Sequence, residues 1–170
     1  GQPIQGLRIN GGGDLAYRTT PAALRTAQKF SVRMIFQPTA LGNGKVFGRI
    51  SSTVDDAVWQ VQMIDSQFAI FQAAAASGFS GASKTYYQNP SNASLLPAGQ
   101  TVGFRVDFDG VAGSVDFLTS QDGGATWTSS WLDNSRGAVA LWDANYPLRI
   151  GGGGFTGIVK KFEVVDGSTV

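Results

Sequence analysis

Four apolar residues, Val102, Phe104, Val106 and Phe108, alternate with Gly103, Arg105 and Asp107. A period of two is the pattern of a strand with one buried and one wet face. Burial of those four side chains contributes roughly 8 kcal/mol gross. Asp109-Gly110 follows at once, a strong hairpin signal after an alternating run, and residues 113–119 return with Val115 and Phe117 inward. Residues 101–127 thus predict two linked hairpins. A second patterned run, Phe30, Val32, Met34 and Phe36, alternates with Ser31, Arg33 and Ile35 and is expected to stop at Pro38, which has no N–H for a ladder.

Elsewhere the pattern predicts strands at 6–10, 15–17, 46–50, 57–64 and 67–71, with Trp59, Val61 and Met63 on one face of the fourth. Gly42-Asn43-Gly44 and Asp65-Ser66 read as turns, and residues 22–28 are the one place for a helical turn or two. Residues 72–100 change character, since Lys84 is their only charge. They predict a long loop with one short edge strand, or an uncharged surface that packs on a neighbouring subunit. Asn92-Ala93-Ser94 fits an N-glycosylation acceptor, meaningful only in a eukaryotic secretory context. Residues 129–147 read as a further irregular segment. A strand at 147–151, a glycine turn passing close to another strand, and a closing strand at 155–165 complete the chain.

Residues 120–127, SQDGGATW, fit S-x-D-x-G-x-T-W. Asp122 is placed to accept backbone amides ahead of it, and Gly123 and Gly124 supply positive φ for a tight reversal. Thr126 and Trp127 are expected to start the next strand, with the indole folded beneath the turn as a plug. With Ser120 and Gly124 they resemble an Asp-box, a hairpin motif of sialidases and several unrelated β-proteins. The resemblance implies a structural role rather than catalysis.

Composition narrows the chemistry. At 170 residues, 42% hydrophobic and 15% charged, residues 1–170 form one domain able to bury roughly 70% of its unfolded surface. With no Cys there are no disulfides or thiolate sites, and with no His the usual general base and metal ligand are missing. A net charge of +1 without a basic run gives no footprint for nucleic acid. No apolar stretch approaches the roughly 20 residues of a membrane span. A chain starting at Gly1 without Met is expected to have been processed or excised.

Many short strands with almost no helix predict an all-β antiparallel sandwich or barrel. The order LRINGGGDLAY, FSVRMIF, VGFRVDFDG and PLRIGGGGFTGIVKKFEVV resembles the concanavalin A-like lectin/glucanase superfamily, in particular its laminin-G-like jelly rolls. Leu148-Arg149-Ile150-Gly151-Gly152 through Gly157-Ile158 matches the segment that returns the chain to the sheet in that family. The resemblance implies an antiparallel jelly roll, glycan recognition, and a structural calcium near the join of the first and last strands. Asp14 and Asp166 are the candidate oxygen ligands for that ion. Local turn hydrogen bonding accounts for the same two residues.

Other motifs are weaker. Gly152, Gly154 and Gly157 spell a dinucleotide fingerprint, yet residues 158–165 alternate with period two where a helix is required. Asp107 and Asp109 share a strand face with Asp116 across the hairpin, which raises a glycosidase pair. The Glu-x-Asp-x-x-Glu string of the superfamily's glucanases is missing, and one box in a chain this short cannot build a sialidase propeller.

A sugar's apolar face stacks on aromatic rings while polar neighbours bond its hydroxyls. Trp131, Asp133, Asn134, Arg136, Trp142, Tyr146, Tyr86 and Tyr87 are the candidates, with Trp59 and Trp127 assigned to the core. The expected function is a non-catalytic carbohydrate-binding or adhesion module, extracellular or on a cell or virion surface. The alternative is a structural virion protein whose partners are neighbouring subunits, as a homo-oligomer or within a larger assembly. A glycoside hydrolase ranks third.

Overall fold

The computed structural model describes residues 7–18, 20, 22–25, 27–41, 44–51, 57–64, 68–75, 84–88 and 99–166. Its strands are β1 (Leu7–Arg18), β2 (Lys29–Leu41), β3 (Gly44–Ile50), β4 (Ala57–Ile64), β5 (Phe68–Ala74), β6 (Lys84–Gln88), β7 (Val102–Asp109), β8 (Ser114–Ser120), β9 (Thr128–Asp133) and β10 (Leu148–Asp166), with one helical turn, α1 (Ala22–Arg25). All pairings are antiparallel. The order runs β6-β5-β4-β3-β10-β2-β7-β8-β9, with β1 against β10.

β10 turns this ladder into a sandwich. Its start, Leu148 to Ile150, pairs with β3, whereas Phe155 to Asp166 pairs with β2. β1 follows β10 through the change, and Gly12 stands opposite Gly153 between two register shifts. Glycine on both sides of the bend leaves no side chain to block it. One layer therefore holds β3 to β6 and the other β2, β7, β8 and β9. The aromatic core closes between them: ring centroids lie 5.1 Å apart for Phe30–Trp59 and for Phe71–Phe108, and 5.5 Å apart for Phe47–Phe162. This is an all-β antiparallel jelly roll of the concanavalin A-like type.

Several expectations change. β2 does not stop at Pro38 but runs to Leu41. The proline lies beyond the last β2–β7 pair, Phe36 with Val102, and at a register shift against β10, where a missing N–H costs little. The glycines after Ile150 are not a turn, because they continue β10. The expected close approach is met at Gly157, where a Cβ would stand 2.5 Å from the Gln37 carbonyl oxygen. Residues 129–147 are not wholly irregular, since Thr128 to Asp133 pair with β8 as strand β9. The 109–114 hairpin forms through a wider turn than Asp-Gly alone: Asp109 and Ser114 are partners, and Asp109 Oδ1 accepts the Val111 and Ala112 N–H groups at 3.0 and 2.9 Å. Short edge strand β6 lies within 72–100 as predicted. The turns at 42–43 and 65–66 and the Asn92 acceptor lie outside the described residues.

Candidate functional site

β6 and β9 are the terminal strands of the ladder, so among the described residues the sandwich is open on the side away from β10. Trp131 is the register partner of Phe117 and shares its inward face. At the rim its ring stays 43% exposed. Asp133, two residues on, faces the same way opposite Val115 and is buried. A buried carboxylate needs donors. Oδ1 accepts the Ser135 N–H at 3.1 Å and the Ser135 hydroxyl at 2.7 Å, and Arg136 Nε lies 4.0 Å from Oδ2. Asn134 and Arg136 are exposed beside it.

Tyr86 and Tyr87 separate, because adjacent strand residues point to opposite faces. Tyr87 corrects the expectation of a stacking ring: it is enclosed against Phe71 and Phe108, both at 6.1 Å, and no face is left for a sugar. Its hydroxyl is buried without a hydrogen-bond partner. Burial, and then the charge of Asp133, push its ionisation up to about 12 against the opposing pull of Arg136. Tyr86 is exposed on the outer face, opposite Gln72.

Trp142 and Tyr146 meet edge-on at 5.4 Å and pack half-buried on the core. The Trp142 N–H donates to the Ala74 carbonyl at 2.9 Å, and the Thr20 hydroxyl to the Tyr146 carbonyl at 2.6 Å. Beneath them the buried guanidinium of Arg49 donates to the carbonyls of Arg25 and Ala144, and Arg25 pairs with Asp143 at 3.1 Å. Of the eight candidates, Trp131, Asp133, Asn134 and Arg136 remain together at the open side.

The 120–127 turn is built from its own side chains. The Ser120 hydroxyl donates to Asp122 Oδ1 at 2.7 Å and accepts the Gly124 N–H at 2.8 Å. The Thr126 N–H donates to Asp122 Oδ1 at 2.9 Å and its hydroxyl to Oδ2 at 2.6 Å. These bonds, the Thr126 hydroxyl foremost, hold Asp122 well below the usual carboxylate range. Gly123 and Gly124 have φ of 70° and 92°. Trp127 is only half-buried and precedes β9, which starts at Thr128.

The outer face of β7 and β8 carries Asp107, Asp109 and Asp116, the carboxylates that raised a glycosidase pair. It carries a shallow depression of about 320 Å³ lined by Lys29, Arg105, Asp107, Asp109 and Asp116. Asp107 and Asp116 are directly opposed. Arg105 grips Asp107 through two bonds of 2.6 Å, with Ser31 as a further donor, while the Ser129 hydroxyl donates to Asp116. Asp109 bonds Lys29 at 2.8 Å.

The calcium expectation does not fit the strands. Asp14 lies in β1 near the Gly12–Gly153 pair, and Asp166 pairs with Phe30 at the far end of β10. From Gly153 to Asp166 is 13 positions, roughly 40 Å of extended strand. Among the described residues no three acidic, His or Cys side chains gather as a metal site. Nor is any described helix long and apolar enough to cross a membrane.

The fold is that of lectin-like jelly rolls among solved structures. The CBM40 module of the Ruminococcus gnavus IT-sialidase, bound to α2,3 sialyllactose, aligns over 95% of this chain and 89% of its own, with a TM-score of 0.66 and 8% identity. A heptameric SAP-like pentraxin from Limulus polyphemus aligns over 94% and 72%, with a TM-score of 0.57 and 17% identity. Domains LG4-5 of the mouse laminin α1 chain align over 95% and 41%, with a TM-score of 0.59 and 16% identity. No protein-family model matches the chain, and no curated protein sequence matches it.

Proposed function

We infer that this protein is a non-catalytic carbohydrate-binding module that works outside the cell or on a surface, and that the glycan sits at the open side of the sandwich. The observation that carries the reading is Trp131, a tryptophan 43% exposed on the terminal strand β9, two residues from the buried carboxylate of Asp133. Its ring offers an apolar platform, and Asp133, Asn134 and Arg136 supply an acceptor and donors for sugar hydroxyls. The likeness to a module bound to sialyllactose supports the same class of ligand. We also read residues 120–127 as an Asp-box with a structural role, supported by the bonds that Asp122 receives from Ser120 and Thr126.

The virion reading rests on residues 72–100, most of which lie outside the described ones. The hydrolase reading loses support from the engaged aspartates of β7 and β8. A glycan-array screen with wild type and a folded Trp131→Ala variant tests the proposal. Specific signals that vanish in the variant uphold it, and signals unchanged by the substitution reject this site.

A further inference from the structure

Three cations lie close together on the outer face of the second layer, and only two have counter-ions. Arg33 of β2 is flanked by Arg105 of β7 and Glu163 of β10. Arg105 spends its Nε and Nη2 on Asp107, and Lys161 pairs with Glu163 at 2.9 Å. Among the described residues the side chain of Arg33 makes no hydrogen bond or ion pair, and its Nε is buried without a partner. Taking that Nε out of water without an acceptor is costly, and an anion placed against the guanidinium removes the cost.

The space for such an anion is present. A recess of about 90 Å³ opens between Arg33, Lys161, Glu163, Trp127 and the backbone of Gly123 and Gly124. That space holds several waters, enough for an oxyanion. Another wall is the half-buried indole of Trp127. The nearby carboxylate of Asp122 is taken up by Ser120 and Thr126, and that of Asp107 by Arg105 and Ser31. Arg33 is therefore the local charge left to satisfy.

We propose that this recess binds the carboxylate or sulfate group of an acidic saccharide, with Arg33 as the oxyanion ligand and Trp127 as the surface on which the ring rests. A planar guanidinium matches an oxyanion through two parallel N–H bonds, a fit that an ammonium cannot reproduce. The site lies on the outer face, whereas Trp131 faces inward at the rim. It is a second site, and it stands or falls separately from the first.

The test uses the intact chain, with calorimetry and tryptophan fluorescence to follow titration with methyl glucuronide, methyl glucoside and sodium sulfate. Glucuronide is expected to bind and glucoside not, with affinity falling about tenfold or more in Arg33→Gln, the equivalent of 1.4 kcal/mol. Arg33→Lys should fall between the two, and Trp131→Ala should leave glucuronide binding unchanged. Because Arg33→Gln removes an unpaired cation, its melting temperature should not fall. Competition by sulfate at equal concentration identifies the oxyanion as the recognised group and upholds the site. Equal binding of glucuronide and glucoside overturns the proposal, as does no binding at millimolar concentrations or full affinity in a folded Arg33→Gln.

Discussion

Trp127 lies over Gly103, so close that a Cβ on the glycine would stand 2.8 Å from the indole. The same Cβ would meet Ser120 at 2.9 Å and Ile35 at 3.1 Å. A methyl group there lifts the indole or displaces its neighbours. Gly103→Ala should destabilise the protein by about 1–3 kcal/mol, the usual range for overpacking. Urea unfolding read by tryptophan fluorescence measures it, and an unchanged midpoint would show that the ring moves aside freely.

The pH dependence of stability should carry the mark of Asp122. Hydrogen bonds from Thr126 and Ser120 favour its ionised form, so its folded pKa lies below its unfolded value near 3.9. A group of this sign stabilises the fold above the unfolded pKa and loses that contribution as pH falls through the folded one. Asp122→Asn should melt lower at pH 7, and its difference from wild type should shrink below about pH 4. Parallel melting curves across pH 7 to 2 would contradict this.

Tyr87 carries the opposite sign. With its ionisation raised to about 12, the fold is at its full stability below pH 10 and loses stability as pH rises towards 12, where the hydroxyl must be charged while buried. Absorbance titration of the tyrosines should show one late component, and Asp133→Asn should move it down by removing a neighbouring negative charge. Tyr87→Phe removes a buried hydroxyl with no partner and should stabilise the protein by about 1 kcal/mol. A loss of stability in Tyr87→Phe would mean that the hydroxyl has a partner in solution.

Arg49 ties α1 to the segment after β9. Its guanidinium is buried and donates to the carbonyls of Arg25 and Ala144, with Asp143 3.7 Å away. Burial lowers its pKa, and Asp143 opposes that shift. Arg49→Ala should cost about 2 kcal/mol, in the range for hydrogen bonds made by a charged group. Faster amide exchange at Trp142, whose N–H holds the Ala74 carbonyl, would accompany it.

Much of the fold was legible where side chains alternate. Residues 57–64 and the cores of β2, β7 and β8 form the predicted strands because Val, Phe and Met recur on one face. β10 was hidden by its glycines, which have no side chain to show a period, so one strand read as two and a turn. β9 was hidden by Thr128, Ser129 and Ser130, which blur the contrast between faces. The placement of Tyr86 and Tyr87 on opposite faces follows from the strand period alone, once a strand at 84–88 is accepted. Arg33 was not legible as a site. Which of three neighbouring cations lacks a counter-ion depends on the lateral register of β10, β2 and β7, which are far apart in the chain.

The position of β10 also dictates an order of assembly. β3 to β6 form a meander of sequential neighbours, and so do β7 to β9, so each can gather from nearby contacts. The inner edges of β2 and β3 are both completed by residues 148–166, the most C-terminal strand of the ten. During synthesis at roughly 5–20 residues per second, two half-built layers with open edges must wait for that strand to leave the ribosome. Unpaired edges of this kind invite intermolecular pairing, which makes the nascent chain, rather than the finished domain, the state most in need of a chaperone.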